Sequence, residues 1–211
     1  MKHALLRQRT TREIFKFPTT AAQAAQLLLS AYEAEVKFRH RECVMDGETE
    51  DNISELSKFL TDGERPQFGV LMCGKCGNGK TTMTYALQNA ICLLNSAGLF
   101  DTRKALAISD AKDIAKIARD DKQFAKLKDK ELLAIEDMGR EPHEVLDYGN
   151  ILNPVADLIE YRYDRQLFTV VTTNLTPPEI AERYGERVAD RFAEMFKKII
   201  FKQKSYRRNQ S

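Results

Sequence analysis

Gly74-Lys-Cys-Gly-Asn-Gly-Lys-Thr-Thr82 carries the residue types and spacing of a phosphate-binding loop, with Gly74, Gly79, Lys80 and Thr81 satisfying G-x-x-x-x-G-K-[ST]. Glycines such as Gly74, Gly77 and Gly79 let the backbone curl until consecutive N–H groups face inward at a polyphosphate, with Asn78 inside that curl. A helix starting at Thr81 and Thr82 adds its positive N-terminal end. Lys80 is placed to neutralise the β- and γ-phosphates, and the Thr81 hydroxyl to ligate Mg²⁺. The flanks fit that chemistry: Phe68 to Cys73 reads as a buried strand. Thr81 to Leu94 reads as a helix with Met83, Ala86, Leu87, Ala90 and Leu94 along one side.

A second constellation is Leu132-Leu-Ala-Ile-Glu-Asp-Met-Gly139, an apolar strand ending in two acids. Such a strand delivers carboxylates to the C-terminal edge of a parallel sheet, where ligands bind in open α/β folds. One acid would hold Mg²⁺, and the other would polarise a water for attack on the γ-phosphate. Asn174 ends another apolar strand, Phe168 to Thr172, and is placed to hydrogen-bond the γ-phosphate or that water. Arg187 and Arg191, four apart on one helix face, either stabilise phosphoryl charge from a neighbouring subunit or form surface ion pairs with Glu182, Glu186, Asp190 or Glu194.

The elements that must position these groups alternate along the chain. A helix from Ala21 to about Arg39, capped by Thr19-Thr20, follows a basic arm holding Lys2, Arg7, Arg9, Arg12 and Lys16. Gly47 to Asp51 reads as a polar break before a helix over Ile53 to Leu60. Strands are expected at Lys104–Ile108, Leu132–Ile135, Phe168–Thr172 and Ile199–Phe201. Helices are expected after Ser109-Asp110 and at Pro154–Tyr163, Pro178–Tyr184 and Glu186–Phe196. This alternation predicts an α/β fold with a central parallel sheet and helices on both faces.

Lys+Arg 33 against Asp+Glu 31 gives a net charge of +2, so any nucleic-acid surface must be local. The chain holds no apolar run of membrane-spanning length and no signal peptide at Met1, which predicts a cytoplasmic protein with no membrane partner. Cys73-x-x-Cys76 has the spacing of a redox or zinc pair, but both cysteines sit in the loop whose backbone must wrap phosphate; Cys43 and Cys92 form no second pair. His3, His40 and His143 have no partner at metal-ligand spacing.

Together these motifs resemble the AAA+ ATPases of the DnaC type, which load replicative helicases, and the related IstB transposition helpers. Gly74 to Thr81 corresponds to Walker A, Leu132 to Gly139 to Walker B, and Thr172-Thr-Asn-Leu175 to sensor 1. Arg162-Tyr163, Gly185-Glu-Arg-x-x-x-Arg191 and Ser205-Tyr-Arg207 complete the set, which covers about residues 52 to 208. The resemblance implies a P-loop NTPase of the ASCE type with three layers, ATP and Mg²⁺ as ligands, and ATP-dependent self-assembly. It also implies single-stranded DNA and a hexameric replicative helicase as partners. By resemblance Arg191 is the finger acting in trans, Arg187 its interface neighbour and Asn174 the sensor. The expected division is a basic arm and helical extension over residues 1–50, then the ATPase core over 51–211, with no C-terminal lid domain.

Here the Walker B acids run Glu136 then Asp137, where the family usually has Asp then Glu. Either Glu136 then takes the metal role together with Thr81 and the shorter Asp137 the water-activating role, with slow hydrolysis, or the two roles are exchanged. Alternatives are a transposition helper acting on duplex DNA with a transposase, a nucleotide-gated module that scarcely hydrolyses ATP, and a small-molecule phosphotransferase. The last needs a lid over the phosphates, for which the sequence offers no segment. Lysines 112, 116, 122, 126, 128 and 130 suit a DNA surface or, with interleaved aspartates, a solvated face; Lys202, Lys204, Arg207 and Arg208 make a further basic cluster.

Overall fold

The computed structural model describes residues 13–44, 46–142, 145–147 and 150–202. Most of the basic arm, His3, His143, Lys204 and Ser205-Tyr-Arg207 with Arg208 lie outside the described residues. Among the described residues the order is α1 (Ala21–Phe38), α2 (Gly47–Thr61), β1 (Gly69–Gly74), α3 (Lys80–Ser96), β2 (Leu106–Asp110), α4 (Ala111–Ile117), α5 (Asp121–Lys128) and β3 (Leu132–Met138). A short hairpin, β4 (Val145–Asp147) and β5 (Asn150–Leu152), comes next. Then follow α6 (Pro154–Asp164), β6 (Thr169–Thr173), α7 (Pro177–Tyr184), α8 (Glu186–Met195) and β7 (Phe196–Phe201).

Five strands form one parallel sheet in the order β2-β3-β6-β1-β7. Side chains alternate across it, as the two-residue strand period requires. Val70, Met72, Leu132, Ala134 and Val170 join α1, α2 and α3 in one core. Leu71, Cys73, Leu133, Ile135 and Val171 join α4, α6, α7 and α8 in the other. The expected α/β three-layer architecture is therefore present. Because both sheet faces are buried, the strands read as continuous apolar runs.

Several boundaries differ from expectation for identifiable reasons. The polar stretch Gly47 to Asp51 is the first turn of α2, not a break. The Asp46 carboxylate accepts the Thr49 N–H at 2.8 Å, and Glu48 and Glu50 suit the positive helix end. Residue 50, where a domain division was expected, therefore lies inside a helix. Further along, β7 begins at Phe196 and α8 ends one residue earlier. Lys197 and Lys198 interrupt the apolar pattern there, yet Phe196 pairs with Gly69. A Cβ on Gly69 would lie 2.7 Å from the Phe196 ring, so the missing side chain makes room for it.

α1 is part of this core. Thr20 and Gln23 form a reciprocal capping box, and the helix packs across α3 and α2. Leu28, fully buried, sits in the same core as Leu87 and Ile91. Leu28→Ala should cost about 2–5 kcal/mol and lower the urea midpoint of one cooperative transition followed by circular dichroism. A separate early transition, with the main one unmoved, would show α1 to be an appendage.

Candidate functional site

The phosphate loop leaves β1 at the C-terminal edge of the sheet. Gly74 has φ +151, and a Cβ there would lie 2.2 Å from the Phe201 carbonyl oxygen, so only glycine allows the chain to pass β7. Gly79, at φ +98, is the N-cap of α3 and turns the loop into the helix. Between them Asn78 is buried; its Nδ2 donates to the Phe201 carbonyl at 2.7 Å, tying loop to β7.

Lys80 is 5% exposed, and its Nζ gathers the loop around itself. It lies 2.7 Å from the Gly74 carbonyl, 2.9 Å from the Lys75 carbonyl, 3.1 Å from Asn78 Oδ1 and 2.9 Å from Asn174 Oδ1. Three ammonium protons thus serve four neutral oxygens. Burial lowers the lysine's pKa, opposed by Asp137, Cys76 and Glu136 nearby. Residues from β1, α3 and β6 expected to meet at phosphate do meet here. Gly77, Asn78, Gly79, Lys80, Thr81, Thr82 and Asn174 all line one cavity of about 670 Å³.

The two acids of β3 part company. Ile135 pairs with Val171 and Met138 with Thr173, so three steps along β3 match two along β6. That extra residue is a β-bulge, which re-aims side chains at a strand end. Glu136 turns under α3, where its Oε1 accepts the Thr84 hydroxyl at 2.6 Å, and the Thr81 and Thr172 hydroxyls lie close enough to favour its charged form. Asp137, at φ +54, turns instead to the cavity wall, its N–H donating to Thr172 Oγ1 at 2.9 Å. Its carboxylate is ion-paired with Arg140, which lines the same cavity.

Burial raises the Glu136 pKa; the hydroxyls of Thr81 and Thr84 oppose this and Asp137 adds to it. A desolvated carboxylate beside a threonine hydroxyl is a hard-oxygen donor set that suits Mg²⁺. Beyond the acids, Glu141 braces the loop. Its Oε2 accepts the Gly139 N–H at 2.9 Å, and its Oε1 accepts the Tyr184 hydroxyl of α7. Arg183 donates to the Glu141 carbonyl, with its Nε 3.6 Å from the Glu141 carboxylate. Burial and Glu141 together push the Tyr184 hydroxyl pKa well up.

Arg187 and Arg191 do not line the cavity. Arg191 lies 12% exposed over the Tyr163 ring, its Nη1 2.8 Å from Glu160 Oε1 but misaligned for a hydrogen bond, and its Nη2 3.5 Å from Asp164. Arg187, 73% exposed, has its Nε 3.3 Å from the same Glu160. These acids belong to α6, not to the local acids named from sequence. Among the lysines, Lys116 pairs with Asp113, while Lys128 sits over the Phe124 and Tyr161 rings. Among the described residues no helix is long and apolar enough to cross a membrane.

Sequence reasoning missed three contributors. Thr84 follows Thr81 by three residues on the α3 face turned to β3, a spacing that was legible. Arg140, three residues beyond Asp137, was equally legible as a charge pair. The cavity's other wall is the end of α1 and the segment after it, including Tyr32, Val36, Arg39 and Val44. No local motif marks that wall, because only tertiary packing brings it to the loop.

No protein-family model and no curated protein sequence matches the chain. Solved structures do match its fold. The DnaC helicase loader superposes with a TM-score of 0.59 and 21% identity over 76% of this chain and 93% of that one. DnaI gives a TM-score of 0.59 and 18% identity over 78% and 87%. The replication initiator DnaA bound to AMPPCP and single-stranded DNA gives 0.52 and 15% over 76% of this chain and 48% of that one. The chain thus shares the three-layer α/β fold of these solved structures.

A buried ionised Glu136 burdens the fold. With its folded pKa above the ordinary 4.5, the stability it contributes is held below that pH and lost as pH rises through the folded value. At neutral pH Glu136→Gln removes the charge but keeps an oxygen for Thr84. It should raise the melting temperature of the free protein while abolishing any stabilisation by Mg²⁺ with nucleotide. A lower melting temperature without ligand would contradict this account of Glu136.

Proposed function

We propose that the protein is an ATP-binding and ATP-hydrolysing AAA+ protein that assists DNA replication by loading a hexameric replicative helicase onto single-stranded DNA. The observation that carries the ATPase assignment is the convergence of Lys80, Asn174 and the Glu136–Thr81–Thr84 cluster at one sheet edge. The replication role draws support from the fold shared with the DnaC helicase loader and with DnaA bound to AMPPCP and single-stranded DNA.

In this mechanism the loop N–H groups and Lys80 bind the β- and γ-phosphates, while Asn78 and Thr82 hold the loop and its helix start in shape. Thr81 and Glu136 would hold Mg²⁺, which would supply charge neutralisation on the phosphates. Asp137 accepts the proton of the attacking water, and Asn174, now beside Lys80, orients that water. In a self-assembled ring a neighbour's arginine stabilises the transferring charge. Arg187 is the more exposed of the pair, whereas Arg191 must first leave Glu160 and Asp164.

A second reading has a specific observation behind it. The Asp137 carboxylate is held by Arg140, and Asp137 is one methylene shorter than the usual glutamate. Both favour a nucleotide-gated binding module with slow turnover, since a misplacement near 1 Å costs about 10²-fold.

Steady-state ATP turnover, measured alone, with single-stranded DNA and with duplex, separates these. The loader predicts stimulation by single strands and a loss of roughly 10²–10³-fold in Lys80→Ala. Stimulation by duplex instead would favour a transposition helper that acts with a transposase. Turnover that Asp137→Ala leaves unchanged would favour the gated module and remove Asp137 from the hydrolytic role.

A further inference from the structure

Arg140 is an unassigned cation in the candidate nucleotide cavity. It follows Asp137 by three residues, pairs with that carboxylate, and shares the cavity wall with Lys80, Thr81 and Asn174. The Arg140 side chain is 54% exposed and that of Asp137 26%, so their ion pair is weak and readily exchanged. The other arginines expected near phosphate are engaged elsewhere: Arg187 and Arg191 both lean on Glu160, away from this wall. Lys80, in turn, is buried under the loop and fixed by four oxygens. Arg39, Arg41 and Lys202 also line the cavity, but Arg140 is the accessible cation that already sits on the Asp137 carboxylate and can change partner there.

A guanidinium paired with Asp137 Oδ2 occupies an oxygen that an attacking water can use. A terminal phosphate competes for the same guanidinium with more charge and with oxygens spaced for its fork. We propose that Arg140 is the chain's own phosphate-contacting arginine, exchanging between Asp137 and the terminal phosphoryl group of a bound nucleoside triphosphate. The exchange, which rests on the ATPase assignment above, does two things. It ties release of Asp137 to the presence of a third phosphate. It also supplies in cis a cation for the transferring group, so each protomer discriminates triphosphate from diphosphate without a neighbour. Arg140 has no other anchor to break, because its carboxylate partner is Asp137 alone among the described ion pairs.

The test is a double-mutant cycle on binding, read as the ratio of dissociation constants for Mg·ADP and Mg·AMPPCP. The full chain is compared as wild type, Arg140→Ala, Asp137→Asn and the double variant, with Arg140→Lys as the charge-retaining control. Arg140→Ala should cut the preference for AMPPCP roughly tenfold, the size expected for one charge-assisted contact, and Arg140→Lys should cut it less. Asp137→Asn frees the guanidinium and should raise the preference, a gain that must vanish in the double variant. If Arg140→Ala leaves the preference unchanged, or the Asp137→Asn gain survives without Arg140, the exchange is overturned. If neither ligand binds the wild type or any variant, the nucleotide assignment itself falls and takes this proposal with it.

Discussion

A buried ammonium must be satisfied, and around Lys80 that requirement organises the whole C-terminal edge of the sheet. Desolvating the charge is costly unless oxygens surround it. The oxygens come from the end of β1, from the loop and, through Asn174, from the end of β6. Asn78 serves twice, giving its Oδ1 to Lys80 and its Nδ2 to β7. One cation thereby fixes the relative positions of three strands and the start of α3. All four acceptors are neutral, so a phosphate offers the lysine a better partner than any it has. A site built in this way is stable as it stands and still favours an incoming anion.

The β3 bulge is the second constraint. In a regular strand, consecutive residues face opposite sides, which would send Glu136 under α3 and Asp137 into the other core. One inserted residue and a left-handed Asp137 turn the second acid to the cavity instead. The conformation is held from several directions: Thr172 takes the Asp137 N–H, Thr173 donates to the Met138 carbonyl at 2.7 Å, and Glu141 holds the Gly139 N–H. Because Glu141 also receives Tyr184, the acidic loop is mechanically joined to α7, which leads into the helix carrying Arg187 and Arg191. A movement of those helices would be felt at Asp137.

Much of this was legible in sequence because the chemistry is local. The glycine spacing, the strand ending in Glu136-Asp137 and Asn174 after β6 each lie within one element and its exit. The parallel order of strands brings those exits to a common edge. What stayed hidden depends on pairing across elements. The bulge cannot be read without knowing that β6 lies beside β3. The α2 start was missed because Gly47 weakens a helix while Asp46 caps it, and the cap prevails. β7 was clipped because its lysines sit on a strand whose Phe196 needs the bare backbone of Gly69. Sequence proximity points Arg187 and Arg191 to acids on α7 and α8, whereas tertiary packing supplies their partners from α6.

The central claim is that the Lys80 knot is a nucleotide site that phosphate opens. A crystal structure of the protein with Mg²⁺ and AMPPCP tests it most directly. The account predicts that the Lys80 Nζ gives up the Asn174 and loop-carbonyl oxygens for the β- and γ-phosphates, with Thr81 and Glu136 gathered around the metal. AMPPCP bound elsewhere, or bound with the Lys80 contacts unchanged, would contradict it.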